Sequence, residues 1–182
     1  NGGNDSIYGY LKGETESTTE NDTVTYQYSG TSVTVNLTTG VATVSTSDID
    51  ALYSIENVIG GNLADIITGS SVINTLQGPD GNDIFISSLG DDVIYGGIFV
   101  GDTHTDDSTT SKDTVDYSNS TGNKLKVDLN DSGASTVTVV SSGGNFLTPL
   151  YKNEIYGIEN ISGTAANDTI TGNSSDNTLL GN

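Results

Sequence analysis

The chain has 182 residues, of which 24 are acidic and 5 basic, so its formal net charge is −19. A charge of this sign excludes a nucleic-acid binder and a polybasic membrane-surface module, because both need a basic surface. The absence of Cys excludes disulfides and zinc–thiolate sites, and the single His, His104, leaves little room for a His-based catalytic triad.

Composition alone would fit a disordered chain, because only 32% of the residues are hydrophobic and the net charge is high. The order of the residues argues against disorder. The apolar residues lie in short runs rich in Ile, Val, Leu and Tyr, and the acidic residues are scattered singly beside Gly and Asn. No apolar run approaches the length that membrane insertion needs. These features favour a folded β protein with metal-binding turns.

The N-terminal part of the chain begins with a pattern that returns later. Residues 2–9 read GGNDSIYG, in which Asp5 is followed two positions later by Ile7. The next segment is an acidic loop that contains Glu14, Glu16, Glu20 and Asp22. Carboxylates gathered in this way repel one another unless they are neutralised.

Two stretches then alternate apolar and polar residues. Their apolar positions are Val24, Tyr26, Tyr28, Val33, Val35 and Leu37. The same alternation returns at Leu125, Val127, Leu129, Val137 and Val139. A period of two with β-branched residues predicts half-buried strands, and no stretch has a convincing helical period.

The central signal is a nine-residue repeat. Residues 60–95 read GGNLADIIT, GSSVINTLQ, GPDGNDIFI and SSLGDDVIY without a gap. The sixth position holds an acid or its amide, namely Asp65, Asn74, Asp83 and Asp92. The eighth position is large and apolar, and holds Ile67, Leu76, Phe85 and Ile94. Glycine takes the first position at Gly60, Gly69 and Gly78, and the fourth at Gly81 and Gly90.

The rest of the chain repeats the order of the first part. DTVTY at 22–26 returns as DTVDY at 113–117, and YSIENVIGG at 53–61 returns as YGIENISGT at 156–164. A second acidic loop precedes the second strands and contains Asp102, Asp106, Asp107 and Asp113, with His104 inside it. Two further nonapeptides occupy 163–180, where the acidic position holds Asp168 and Asn177.

The nonapeptides resemble the calcium-binding repeat of the repeats-in-toxin (RTX) family, G-G-x-G-x-D-x-U-x, in which U is a large aliphatic residue. The resemblance implies a parallel β-roll in which the first six residues of each unit form a turn and the last three a short strand. It also implies that each Ca²⁺ lies between two stacked turns and takes one Asp from each, with main-chain carbonyls. The residue types suit this, because Gly permits positive φ in a tight turn and Ca²⁺ prefers oxygen ligands.

Two nonapeptides would make one coil, so turns 18 residues apart would stack. This pairs Asp65 with Asp83 on one edge of the roll and Asn74 with Asp92 on the other. Asn keeps an oxygen but loses a charge, so sites at Asn74 and Asn177 would be weaker. The predicted metal-binding residues are Asp5, Gly60, Asp65, Asn74, Gly78, Asp80, Gly81, Asp83, Gly90, Asp92, Asp102, Asp107, Asp168 and Asn177.

Several positions allow two interpretations. The Asp and Asn residues of the repeat either bind calcium or only close hydrogen-bonded turns, and Leu63 and Val72, which replace the second turn glycine, make the first two turns doubtful as full sites. Glu56 and Glu159 either close a calcium turn or cap the roll. The acidic loops are either extra calcium sites or solvated, and His104 either binds a transition metal or faces solvent.

The tyrosines also allow two interpretations, a sugar-stacking platform or packing within the sheets, of which packing is commoner at strand spacing. They are Tyr26, Tyr28, Tyr53, Tyr117 and Tyr156.

The predicted fold is all-β, a right-handed parallel β-roll or β-solenoid with calcium-binding turns. The whole chain, 1–182, is expected to form one continuous solenoid fragment. Its expected parts are the end of an RTX block at 1–9, an acidic loop with wider strands at 10–54, an RTX β-roll at 55–101, a second acidic loop with wider strands at 102–157, and the start of a further RTX block at 158–182.

The predicted function is that of a calcium-binding extracellular structural or adhesive segment that folds and stiffens on Ca²⁺ after secretion. The long repeat is similar to the tandem segments of large RTX surface proteins and adhesins, which implies a bacterial cell surface and type I secretion. Resemblance to serralysin-type proteases is limited to their β-roll, because the zinc motif H-E-x-x-H is absent, and no enzyme is predicted.

The alternatives are a carbohydrate-binding or folding-assist module of a secreted enzyme and, less favoured, a β-solenoid polysaccharide enzyme. Such an enzyme normally needs a cationic residue, and the chain has no Arg. Several Ca²⁺ ions are the expected cofactors. Other possible partners are neighbouring repeats, further copies of the chain, and a glycan or surface ligand.

Overall fold

The computed structural model describes residues 2–10, 21–100, 103–105 and 111–182. All the regular secondary structure in this part of the chain is β-strand. It contains no helix long and apolar enough to cross a membrane. The strands, in chain order, are β1 (Ser6–Tyr8), β2 (Thr23–Thr25), β3 (Thr34–Asn36), β4 (Val41–Ser45), β5 (Asp48–Tyr53), β6 (Asn57–Ile59), β7 (Ile66–Thr68), β8 (Thr75–Gly78), β9 (Ile84–Ile86), β10 (Val93–Gly96), β11 (Ile98–Val100), β12 (Thr103–Thr105), β13 (Thr114–Asp116), β14 (Asn123–Asp128), β15 (Ser135–Ser141), β16 (Tyr151–Tyr156), β17 (Asn160–Ser162), β18 (Thr169–Thr171) and β19 (Thr178–Leu180). The all-β prediction is confirmed.

Two large sheets contain most of these strands. The first has nine strands in the order β1-β5-β4-β3-β7-β9-β13-β17-β19, and the second has eight in the order β18-β14-β15-β16-β10-β8-β6-β2. The strands of the nonapeptides alternate between the two sheets along the chain. Neighbouring repeat strands in a sheet are parallel and 18 residues apart, with Ile66 beside Ile84 and Thr75 beside Val93. The coil length predicted from the nine-residue spacing is therefore confirmed, and the architecture is consistent with a β-roll.

The sheets are mixed, which differs from the expected parallel roll. Strands β3, β4 and β5 form an antiparallel meander in the first sheet, and β14, β15 and β16 form another in the second. Connections without a crossover join these strands, and Gly40 and Gly133 adopt φ values of 65° and 76° in two of them. A short turn reverses the chain into an antiparallel neighbour, whereas a parallel neighbour needs a crossover.

Equivalent strands of the two copies of the long repeat lie in opposite sheets. Strand β2, from DTVTY, lies in the second sheet, whereas β13, from DTVDY, lies in the first. The two meanders change sides in the same way, because the chain crosses between the sheets an odd number of times from one copy to the next. The repeat thus places equivalent residues on alternate faces of the molecule.

The core is a row of buried side chains from each sheet. The row from the first sheet contains Val35, Ile67, Phe85, Val115 and Ile161. The row from the second contains Val24, Val58, Leu76, Ile94 and Ile155. Short strands with one inward residue each produce a thin core, and the residue that precedes each strand lies at the edge of the roll, where the candidate site is found.

Candidate metal centre

Acidic side chains stack along the edge where the chain enters the first sheet. Asp65, Asp83 and Asp113 each come directly before a strand, and each is at most 1% exposed. The backbone N–H of Asp65 donates to Asp83 Oδ1 at 2.7 Å, and that of Asp83 donates to Asp113 Oδ1 at 2.7 Å. The N–H of Asp113 donates in turn to Glu159 Oε2 at 2.9 Å. We call these four residues the first column.

A second column follows the other edge and consists of Glu56, Asn74, Asp92 and Asn153. The side-chain amide of Asn74 donates to the carbonyl oxygen of Glu56 at 2.8 Å, and its backbone N–H donates to Asp92 Oδ1 at 3.0 Å. The N–H of Asp92 donates to Asn153 Oδ1 at 3.1 Å. The structure therefore brings Asp65 beside Asp83, and Asn74 beside Asp92.

Several sixth-position residues also close their own turns. Asp65 Oδ2 accepts the N–H of Gly61 at 2.5 Å, and Asn74 Oδ1 accepts that of Ser70 at 2.6 Å. The turn of Asp168 is closed in the same way, through the N–H of Thr164 at 2.6 Å. These hydrogen bonds are what the turn-closing interpretation requires. They also fix the side-chain oxygens inside the turns, where a cation could reach them.

Burial makes the negative charge of the columns costly. It is the main cause that raises the pKa of Asp92 to about 6, against opposing hydrogen bonds from Asn74 and Ser88. Burial likewise raises the pKa of Asp65. A carboxylate that has lost its hydration regains stability when a cation binds its oxygens, and the chain has only five basic side chains for 24 acids. The donor set, oxygen at every position and anionic at most of them, suits Ca²⁺.

The glycines of the repeat leave room for these carboxylates and for the stacking of the turns. A Cβ added at the first-position residues Gly60 or Gly78 would collide with the carboxylate five residues later. The fourth-position residue Gly81 adopts a φ of 110°, and a Cβ there would lie 2.5 Å from the backbone nitrogen of Ala64. Turn therefore packs directly on turn, one coil apart.

Replacement of Gly81 by Ala tests this packing. The strain of positive φ costs roughly 1–2 kcal/mol for Ala, and displacement of the packed turn should add about 1–3 kcal/mol. Gly122→Ala is the matched control, because Gly122 has a φ of 74° and open space around it. Urea unfolding in saturating Ca²⁺ should show a loss for Gly81→Ala about twice that of the control. Equal losses would mean that the turns do not need close contact.

The other predicted metal-binding residues lie in different surroundings. Asp5 is exposed, and its backbone N–H donates to Asp50 Oδ1 at 3.0 Å. Asp80 is exposed as well, whereas Asp168 and Asn177 are half-buried. Asp102 and Asp107 lie outside the described residues, as do Asp106, the loop acids Glu14, Glu16 and Glu20, and the side chain of His104.

No three His, Cys, Asp or Glu side chains converge on one point in the described part of the chain. An ion held by the columns would therefore combine one or two carboxylates with main-chain carbonyls, which is the arrangement that the resemblance to RTX repeats implies.

Asp113 and Asn153 belong to the columns but lie outside the nonapeptide spacing, which does not predict the pairing of Asp113 with Asp83. The sequence places Asp113 in an acidic loop and gives Glu159 two possible roles. The nonapeptide spacing does not identify Asp50 or Asn153, which occupy equivalent positions in the two copies of the long repeat. Tyr26 donates to Asp50 Oδ2 at 3.1 Å, and the amide of Asn153 donates to the Tyr117 hydroxyl at 2.9 Å. Alignment of the two copies would have found this pair.

The tyrosines do not form one platform. Tyr117 is fully buried, whereas Tyr28 is 91% exposed. Tyr53 stacks on Tyr8 with ring centroids 4.6 Å apart, and Tyr156 stacks on Tyr95 at 4.9 Å. These two stacks occupy equivalent positions of the long repeat, where the last strand of each meander pairs in parallel with β1 or β10. Packing across strands therefore accounts for both pairs.

Comparison with known protein families identifies the nonapeptides. A family model described as the RTX calcium-binding nonapeptide repeat, in four copies, matches residues 59–94 and 156–182. The resemblance indicated by the spacing is confirmed. No curated protein matches the chain. The matched segments include the turns of Asp65, Asn74, Asp83 and Asp92, and they leave Asp113 outside.

Proposed function

The chain carries RTX calcium-binding nonapeptide repeats at 59–94 and 156–182, and on this premise we propose that it is one continuous, right-handed β-solenoid segment of an extracellular protein that folds and stiffens on Ca²⁺. Its role is structural or adhesive. The observation that carries the proposal is the first column, in which buried carboxylates from successive coils stack on one edge of the roll.

The columns supply the ligands. Asp65 with Asp83, and Asn74 with Asp92, would hold ions between stacked turns together with main-chain carbonyls. Bound Ca²⁺ supplies positive charge and takes up the oxygen lone pairs that burial has removed from water. Asn74 contributes an oxygen without a charge, so its edge binds more weakly.

The same residues oppose folding when calcium is scarce. Strand pairing spaces successive coils by about 4.8 Å, so carboxylates stacked at this spacing repel one another. At cytosolic calcium the chain stays loose, and it folds after export, since extracellular modules bind calcium at roughly 10⁻⁴–10⁻³ M. Ligands that come together only in the folded roll make the ion a folding cofactor.

The remaining parts of the proposal concern location and activity. We place the segment at a bacterial cell surface after type I secretion, as part of a longer RTX protein. RTX repeats are a structural calcium-binding module, and the acids of the columns are engaged in holding turns together, which supports a role without catalysis.

Small-angle X-ray scattering across a calcium titration tests the proposal. An unfolded chain of this length has a radius of gyration of about 45 Å, and a compact domain of the same length about 16 Å. We expect a value near the first figure at submicromolar Ca²⁺, and a fall towards the second in millimolar Ca²⁺. An equal concentration of Mg²⁺ is the control. A radius that stays constant across the titration would refute calcium-dependent folding.

A further inference from the structure

The first column continues where the nine-residue spacing has stopped. Asp113 lies outside the matched segments, yet it stacks on Asp83 as Asp83 stacks on Asp65, with an N–H to Oδ1 distance of 2.7 Å in both contacts. Strand β13 pairs in parallel with β9, so that Thr114 lies beside Ile84. Asp113 thus has the place in the roll of the sixth residue of a nonapeptide.

A glycine faces the carboxylate of Asp113, as in the repeats. Gly78 faces Asp83 five residues later, whereas Gly96 faces Asp113 seventeen residues later. A Cβ added at Gly96 would lie 2.5 Å from Asp113 Oδ2. The residues between Gly96 and Asp113 therefore form an insertion within one calcium-type turn, and we call Gly96 and Asp113 a split turn.

The turn on the next coil brings further oxygens to the same glycine. A Cβ at Gly96 would also collide with the carbonyl oxygen of Gly157. Glu159 Oε2 accepts the N–H of Asp113 at 2.9 Å. Gly157 has a φ of 60° and precedes Glu159 by two residues, as Gly81 precedes Asp83. The segment before β17 is therefore a second calcium-type turn, with Glu at the acidic position.

The first copy of the long repeat builds the same arrangement independently. A Cβ at Gly9 would lie 2.7 Å from Asp22 Oδ2 and would collide with the carbonyl oxygen of Ser54. The N–H of Asp22 donates to Glu56 Oε2 at 2.8 Å. Ser54 has a φ of 51°, a value rare for a residue with a side chain. The two insertions differ in length and sequence. Each nevertheless begins at a glycine and ends at an Asp that are surrounded by the same three kinds of oxygen: the Asp carboxylate, a Glu carboxylate and a main-chain carbonyl.

We propose that each split turn is a calcium site that the nonapeptide spacing does not reveal. The second copy would offer the carboxylates of Asp113 and Glu159 with the carbonyl of Gly157, and the first those of Asp22 and Glu56 with the carbonyl of Ser54. The inference rests on the proposed function. Its consequence is that calcium clamps the two ends of each insertion, at Gly9 with Asp22 and at Gly96 with Asp113.

Isothermal titration calorimetry with Ca²⁺ on the Asp113→Asn chain tests the site. Asn keeps an oxygen for the N–H of Asp83 and removes one charge. We expect one fewer bound Ca²⁺ per chain, or one site weakened at least tenfold. Trypsin cleavage after Lys112, measured in saturating Ca²⁺, should become at least several-fold faster. Asp128→Asn is the control, because Asp128 lies exposed on β14, and it should change neither quantity.

A second variant tests the same site in case the Asp113→Asn chain does not fold. Glu159→Gln should lose the same ion, and the double variant should lose no more than either single variant, because both residues would serve one site. If the variants still fold on calcium and bind the same number of Ca²⁺ ions with the same affinity as the parent chain, the inference about the split turns is wrong, and the proposed function is unaffected. The proposed function itself fails only if the parent chain binds no Ca²⁺ or folds equally well without it.

Discussion

Addition of a calcium chelator to the folded chain is expected to remove most of its β circular dichroism signal, and millimolar Ca²⁺ should restore it. A site at one hundred times its dissociation constant contributes about 2.7 kcal/mol to stability. A small domain has a total of about 5–15 kcal/mol. Loss of several sites from the columns therefore removes an amount comparable with the whole stability, while the buried, stacked carboxylates of Asp65, Asp83 and Asp113 remain to repel one another.

Magnesium is the discriminating control for this experiment. Mg²⁺ demands near-octahedral geometry and gives up its water reluctantly, so a site of carboxylates and main-chain carbonyls should not fold around it. An equal concentration of Mg²⁺ should leave the chelated chain without its β signal. A signal that survives chelation would favour the turn-closing interpretation, in which hydrogen bonds such as Asp65 Oδ2 to the N–H of Gly61 are sufficient.

The coil could be predicted because two independent patterns agreed on it. The eighth-position residues, including Ile67 and Phe85, are inward and buried, and the sixth-position residues, including Asp65 and Asp83, stack 18 residues apart. Glycine at a fixed position of each nonapeptide indicates where the chain turns. The large apolar residue at the eighth position indicates which side chain points into the core. These constraints fix the length of a coil without knowledge of distant contacts.

The meanders could not be predicted in the same way. Alternation with a period of two is identical for parallel and antiparallel strands, so Val35 and Val127 indicated strands without indicating their partners. Nor does sequence order specify which sheet receives a strand. The exchange of sheets between the two copies follows from the number of crossings between them, and this number depends on which segments pair in parallel and which form hairpins.

The extension of the column to Asp113 was hidden by an insertion. The spacing from glycine to acid, which identifies Asp83 from Gly78, fails for Gly96 because an inserted segment separates it from Asp113. Only the pairing of β13 with β9 shows that the turn closes again. The glycine-to-acid spacing identifies a turn only when no residues are inserted within it. Strand pairing in the folded roll can bring the two ends of the turn together even when residues are inserted.

Replacement of Asp83 by Ala is expected to raise the calcium midpoint of folding at least tenfold, which corresponds to about 1.4 kcal/mol. Asp83 is fully buried and lies between Asp65 and Asp113 in the first column. Ala removes a charged ligand and leaves the buried N–H of Asp65 without its acceptor, which by itself costs about 1–3 kcal/mol. The midpoint is measured by circular dichroism during a calcium titration.

Two further variants separate charge from hydrogen bonding. Asp83→Asn retains an oxygen for the N–H of Asp65, so a raised midpoint in this variant reports the lost charge, whereas an unchanged midpoint would contradict a ligand role for Asp83. Asn74→Ala should shift the midpoint less than Asp83→Ala, because Asn74 never carried a charge. It should still lower stability in saturating Ca²⁺, since the N–H of Ser70 and the carbonyl of Glu56 lose their partner. A column that binds calcium thus responds to charge at the acidic position, and a column that only closes turns responds to the hydrogen bond.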